Sequence, residues 1–147
     1  YTVIPAEDSV GLGISAIGDV RDAYVQNEKK LSTYAQALKA GRLPVVRGVV
    51  RDADDLLRGD VIEALMCNAR VDMGAIEAAH GVVFREVFAA ELERLREHES
   101  AGMVVVEADA ITATPMGELF IRNLAMCFDA YYARHADAAK PVFSRTV

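Results

Sequence analysis

The chain has 147 residues, 22 acidic against 16 basic side chains, a net charge of −6, two cysteines and a hydrophobic content of 52%. That length suits one domain whose core needs no disulfide or metal staple, and the hydrophobic content excludes a disordered chain. The acidic balance argues against nucleic acid or an anionic membrane as partner, and no apolar run approaches the ~20 residues of a bilayer span.

No secretory pattern is read at the start, and Cys67 and Cys127 make no disulfide framework, so a reducing, cytoplasmic setting is expected. The chain starts at Tyr1 rather than Met, and is expected to be processed or a piece of something longer. Val10 to Ile17 is apolar, rich in glycine and without helical spacing, which predicts a short buried strand running into a loop. Such a strand needs a sheet, and the rest of the chain offers no matching parallel strands, so it is expected to be stray.

Helix signals follow. Residues 28–40 predict a short helix with Leu31, Tyr34, Ala35 and Leu38 on one face, stopped by Gly41. Asp52 is a suitable N-cap for a helix over 53–68 with the stripe Leu57, Val61, Leu65, although Gly59 inside it costs about 1 kcal/mol against Ala. Asp72 caps a short helix to Ala79, and Gly81 ends it. A longer helix is predicted over 83–98, burying Phe84, Val87, Phe88, Leu92 and Leu95. Met103-Val-Val-Val106, a turn around Ala108-Asp109 and Ile111-Thr112 predict a hairpin. Thr114-Pro115 then opens a final helix to about Tyr132, with Phe120, Leu124, Cys127, Phe128 and Tyr131 at core spacing. This is the order of a winged-helix domain.

Little in these elements carries chemistry. Gly11-Leu-Gly13-Ile-Ser-Ala16 fits a dinucleotide fingerprint only in its letters, because no amphipathic helix opens after it. Cys67, Cys127, His80, His98 and His135 form no pair at metal-ligand spacing, and both cysteines fit buried structural thiols. A DNA-binding reading of the winged-helix order would use the 83–98 helix, whose glutamates outnumber its arginines and oppose phosphate contact. Of the scattered arginines Arg47, Arg51, Arg58, Arg70, Arg122 and Arg145, most read as solvated surface charges. Arg122 lies in core-like helical sequence, so it is expected to need a carboxylate partner, internal or on a ligand.

Several strings together resemble one family. They include Val10-Gly-Leu-Gly-Ile-Ser-Ala-Ile17, Asp22-Ala-Tyr-Val-Gln-Asn27, Leu43-Pro-Val-Val-Arg-Gly48, Leu65-Met-Cys-Asn68, Ile121-Arg-Asn-Leu-Ala-Met-Cys-Phe-Asp129 and Phe143-Ser-Arg-Thr-Val147. Along nearly its whole length the chain resembles the C-terminal part of the oxygen-independent coproporphyrinogen III oxidases, radical SAM enzymes of heme biosynthesis. The Arg122–Asp129 run separates the oxidases from heme-chaperone relatives of similar layout. The chaperones and an acidic winged-helix DNA- or protein-binding adaptor are the alternative readings.

The resemblance implies a mainly α, winged-helix-like helical domain with a small β-hairpin, preceded by a stray strand and loop from a missing radical SAM barrel. Residues 1–27 would end the barrel, and residues 28–147 would form the domain that covers the substrate. The longer parent would carry a 4Fe-4S cluster and S-adenosylmethionine, and would decarboxylate two propionates of coproporphyrinogen III to vinyl groups. The fragment itself would hold neither cofactor and be inactive, its partner being its own N-terminal barrel. Ile17, ending the Ser-Ala-Ile segment, is implied to contact a second S-adenosylmethionine. Four propionates on the substrate make arginines sensible ligands, and Arg47 and Arg122 are the candidates. This chain departs from many relatives at Arg58-Gly59, where they carry Arg-Arg, and at Gly117-Glu118, where they carry Gly-Arg.

Overall fold

The computed structural model describes residues 8–135. The chain divides into two compact units at Leu56/Leu57. About half of it is helical, and small antiparallel sheets supply more strand than the mainly helical expectation allowed.

The first unit is built on strands. β1 (Asp8–Ser9), β2 (Ile17–Val20), β3 (Ala23–Asn27) and β4 (Val45–Val50) form one antiparallel sheet in that order, with helix α1 (Leu31–Lys39) between β3 and β4. This corrects the stray strand. Residues 10–16 are loop, the strand begins at Ile17, and its neighbours lie in this same chain. The buried strand is corrected too, since Val10, Leu12, Ile14 and Ile17 are all exposed here. Helix α1 starts three residues later than predicted. The Glu28 carboxylate accepts from the backbone N–H of Lys29 and Lys30, which fixes those residues in a turn. Its buried residue is Ala37, while Leu31 and Leu38 face solvent.

In the second unit the predicted elements recur, with breaks. Helix α2 (Ala53–Asn68) starts in the first unit and buries Leu57, Val61 and Leu65, one residue every fourth position. Its start is a reciprocal cap: Asp55 N–H donates to the Asp52 carboxylate, and Asp52 N–H to that of Asp55. Asp72 caps α3 (Met73–His80) by accepting from Ala75 N–H at 2.9 Å, and Gly81 ends it in the left-handed conformation. The predicted hairpin is β6 (Val104–Val106) with β7 (Ala110–Ala113). A third strand, β5 (Arg70–Asp72), joins its other side, giving the order β5-β7-β6.

Two predicted helices are interrupted. The 83–98 helix is α4 (Phe84–Val87) and α5 (Ala89–Ser100), parted at Phe88. The final helix is α6 (Pro115–Leu119), α7 (Ile121–Met126) and α8 (Ala130–His135). Phe88 packs 4.7 Å from Phe84 and edge-on to Phe128 at 5.4 Å, so tertiary packing overrides local helix continuity there. Asp129 accepts from the N–H groups of Tyr131 and Tyr132, which starts a new helix where the pattern suggested continuation. Phe84, Phe88 and Phe128 form the centre of a core completed by Leu65, Val71, Leu95, Ile111 and Leu124. Val87, Phe120 and Tyr131 are exposed instead of buried.

Candidate functional site

The sheet of the first unit positions two of the three predicted site residues together. Ile17 on β2 lies opposite Gln26 on β3, and Gln26 lies opposite Arg47 on β4. Residues directly opposite in an antiparallel pair share a face, so Ile17, Gln26 and Arg47 form one cross-strand row. Ile17 is 61% exposed at one end of it. At the other end Arg47 is also exposed, and its Nε donates to Gln26 Oε1 at 2.7 Å. The terminal guanidinium nitrogens of Arg47 make no hydrogen bond among the described residues, which leaves them open to an anion.

The segment leading into Ile17 is held from several sides. Gln26 Nε2 donates to Ser15 O at 3.1 Å. Asn27, buried at a β-bulge that shifts the register, donates through Nδ2 to Gly11 O and Gly13 O at 2.9 and 3.0 Å. Gly13 N–H donates to the Tyr34 hydroxyl at 3.1 Å. A Cβ on Gly11 would lie 2.8 Å from the Ile17 carbonyl, so this glycine serves a close backbone crossing rather than a phosphate. Sequence reasoning missed Gln26, Asn27 and Tyr34 as parts of this arrangement. The available signal was the β-branched and aromatic composition of Ala23–Asn27 and Val45–Val50, which lack the alternation that would have marked them as strands.

The next row of the same face carries a different arginine. Asp19 lies opposite Tyr24, and Tyr24 opposite Val49. Arg51 is mostly buried over it. It pairs with the Asp19 carboxylate, donates to Arg21 O at 2.6 Å and stacks 4.4 Å above the Tyr24 ring. Its charge is thus already answered within the chain, in contrast to Arg47. Arg51 was read as a solvated charge, and the structure corrects that.

Arg122 lies in the second unit, on α7, and is exposed. Arg122 is therefore not a buried charge that requires a partner, in contrast to the sequence expectation, whereas Leu124 and Phe128 are fully buried. Arg58, also read as solvated, is instead built into the core. Its Nη1 donates to Glu91 Oε1 at 2.9 Å and to Phe128 O at 3.1 Å. Arg94 Nη2 donates to the same Glu91 oxygen at 2.9 Å. Cys127 is buried with Sγ 3.5 Å from Asn123 O; desolvation raises its thiol pKa above the ordinary value, the nearby Arg94 opposing. Among the described residues no group of three or more His, Cys, Asp or Glu converges where a metal ion could sit, and no helix is long and apolar enough to cross a membrane.

The cross-strand row therefore presents, on one face, an exposed apolar side chain at one end and an arginine with open terminal nitrogens at the other. Residues 52–120 match the family described as HemN C-terminal domain. Over all 147 residues the chain is 40% identical to an oxygen-independent coproporphyrinogen III oxidase of Salmonella typhimurium, spanning 32% of that protein. The Helicobacter pylori oxidase is 40% identical over 131 residues, 89% of this chain and 29% of the relative. A solved structure, the Escherichia coli coproporphyrinogen III oxidase HemN, described as a radical SAM enzyme, superposes with a TM-score of 0.79 at 40% identity. The match covers 84% of this chain and 29% of that one. The chain thus spans about a third of the length of the relatives it matches.

Proposed function

We propose that this chain is the C-terminal part of an oxygen-independent coproporphyrinogen III oxidase, acting in heme biosynthesis by oxidative decarboxylation of two propionates. The observation that carries this reading is the 40% identity maintained over the whole of its length. In the longer protein, residues 1–27 end a radical SAM barrel, and residues 28–147 cover that barrel and help enclose the substrate. The exposed valines of β4, with Leu12 and Ile17, support a covering partner, since so much apolar surface is uncommon on an isolated domain. The second unit is winged-helix-like, a reading supported by helices α2, α3 and α5 followed by the β6–β7 hairpin and by β5 completing its sheet.

A 4Fe-4S cluster and S-adenosylmethionine would supply the radical chemistry. In this reading the part played by the described residues is binding and enclosure. Ile17 offers an exposed apolar wall suited to van der Waals contact with S-adenosylmethionine. Arg47 holds a propionate through its terminal N–H groups, a charge-assisted contact worth about 1.5–3 kcal/mol. Arg122, exposed on α7, is the second candidate for a propionate.

The test uses the full-length protein under anaerobic, reducing conditions with S-adenosylmethionine. Conversion of coproporphyrinogen III to protoporphyrinogen IX is expected. Heme transfer without conversion would replace the reading with the chaperone one. Arg47→Ala and Arg122→Ala are each expected to raise KM more than they lower kcat; unchanged kinetics in a folded variant would remove that residue from the site.

A further inference from the structure

We propose that Gln26 is the positioning residue that sets how Arg47 meets a carboxylate, an inference that rests on Arg47 being a substrate ligand. The amide of Gln26 has one consistent orientation. The Nε of arginine can only donate and the Ser15 carbonyl can only accept, so Oε1 must face Arg47 and Nε2 must face Ser15. One side chain thereby ties the arginine of β4 to the Ser15-Ala16-Ile17 segment that leads into β2.

This anchoring has a chemical consequence. With Nε occupied at 2.7 Å, the side-on grip through Nε and one terminal nitrogen is closed to a ligand. The end-on grip through both terminal nitrogens stays open. Gln26 also removes part of the rotamer freedom that a long exposed arginine would lose on binding. Both hydrogen bonds are exposed, where they add little to folding stability, so the loss of Gln26 should be felt in binding more than in the fold.

The experiment is a double-mutant cycle in the full-length protein, read as the Kd for coproporphyrin III, the oxidised porphyrin bearing the same four propionates, by fluorescence titration. Gln26→Met is expected to weaken binding about three- to tenfold, and Arg47→Ala at least as much. The double variant should bind no more weakly than Arg47→Ala, because Gln26 acts through Arg47. Gln26→Glu keeps a partner for Arg47 and so guards against a folding artefact. It should also weaken binding, since its carboxylate competes with the propionate. Losses that multiply in the double variant, or wild-type binding by Gln26→Met beside weakened binding by Arg47→Ala, would overturn the proposal. Wild-type binding by Arg47→Ala overturns both it and the ligand role of Arg47. Oxidase activity of the unaltered protein, measured separately, decides the enzyme assignment on its own.

Discussion

Glu91 is buried, with Arg58 and Arg94 each 2.9 Å from the same carboxylate oxygen. Glu91→Ala takes the carboxylate away from the largely buried Arg58 guanidinium, so the unfolding free energy from urea titration should fall by about 3 kcal/mol. Removing both partners together, as Arg58→Met with Glu91→Leu, should cost less than the single change, because no buried charge is left. Two glycines make a second contrast. A Cβ on Gly117 would lie 1.8 Å from the Met103 carbonyl oxygen, whereas one on Gly59 meets nothing within 4 Å. Gly117→Ala should lower the melting temperature strongly, and Gly59→Ala should raise stability by about 1 kcal/mol, the helix propensity difference. For Cys127 the raised pKa means less thiolate at a given pH than a free cysteine has. Its reaction with a thiol reagent in the native protein should be slow at pH 8 and become ordinary in denaturant. The sign for stability follows: the unfolded thiol ionises first as pH rises, so this contribution is complete below the ordinary thiol range and declines above it.

Among the elements, those with explicit boundary chemistry behave as local rules require. The start of α3 depends on the Asp72 carboxylate meeting Ala75 N–H. Asp72→Ala should cost about 1 kcal/mol in thermal unfolding, and Asp72→Asn only a few tenths. Helix α2 ran over the predicted residues because a reciprocal cap, an apolar stripe and a break before Arg70 agree. The 83–98 and 115–132 patterns were each legible as helix, yet their interruptions were not. At Phe88 the backbone yields to packing against Phe84 and Phe128, residues four and forty positions away along the chain. At Asp129 a local competitor for backbone N–H groups starts a new helix. The strands of the first unit were missed for a different reason. Val45–Val50 reads Val-Val-Arg-Gly-Val-Val, without the period-two alternation that marks a half-buried strand.

For the whole molecule, the division at Leu56/Leu57 separates a sheet carrying Ile17 and Arg47 from a helical unit carrying Arg122. The 147-residue chain on its own is expected to gain no iron–sulfur absorbance on incubation with iron and sulfide, since its cysteines, Cys67 and Cys127, number too few for a four-thiolate cluster. Visible absorbance with stoichiometric iron would contradict that. No oxidase activity is expected from the same preparation, whereas the full-length protein should convert substrate.

The sequence by itself determined the buried stripe of α2, the caps of α2, α3 and α6, and the ordered strings that resemble one family. Each depends on residues close in the chain or on strings that stand in order along it. Only the tertiary structure decided which arginine is free. Arg47, Arg51, Arg58 and Arg122 look alike as letters, but Asp19 and Tyr24 answer Arg51, Glu91 answers Arg58, and Gln26 leaves the end of Arg47 open. Those partners lie 21 to 33 positions away on other strands or helices for the pairs Arg47–Gln26, Arg51–Asp19 and Arg58–Glu91. A side chain's charge becomes a binding function or a structural tie only once folding has set its burial and its neighbours.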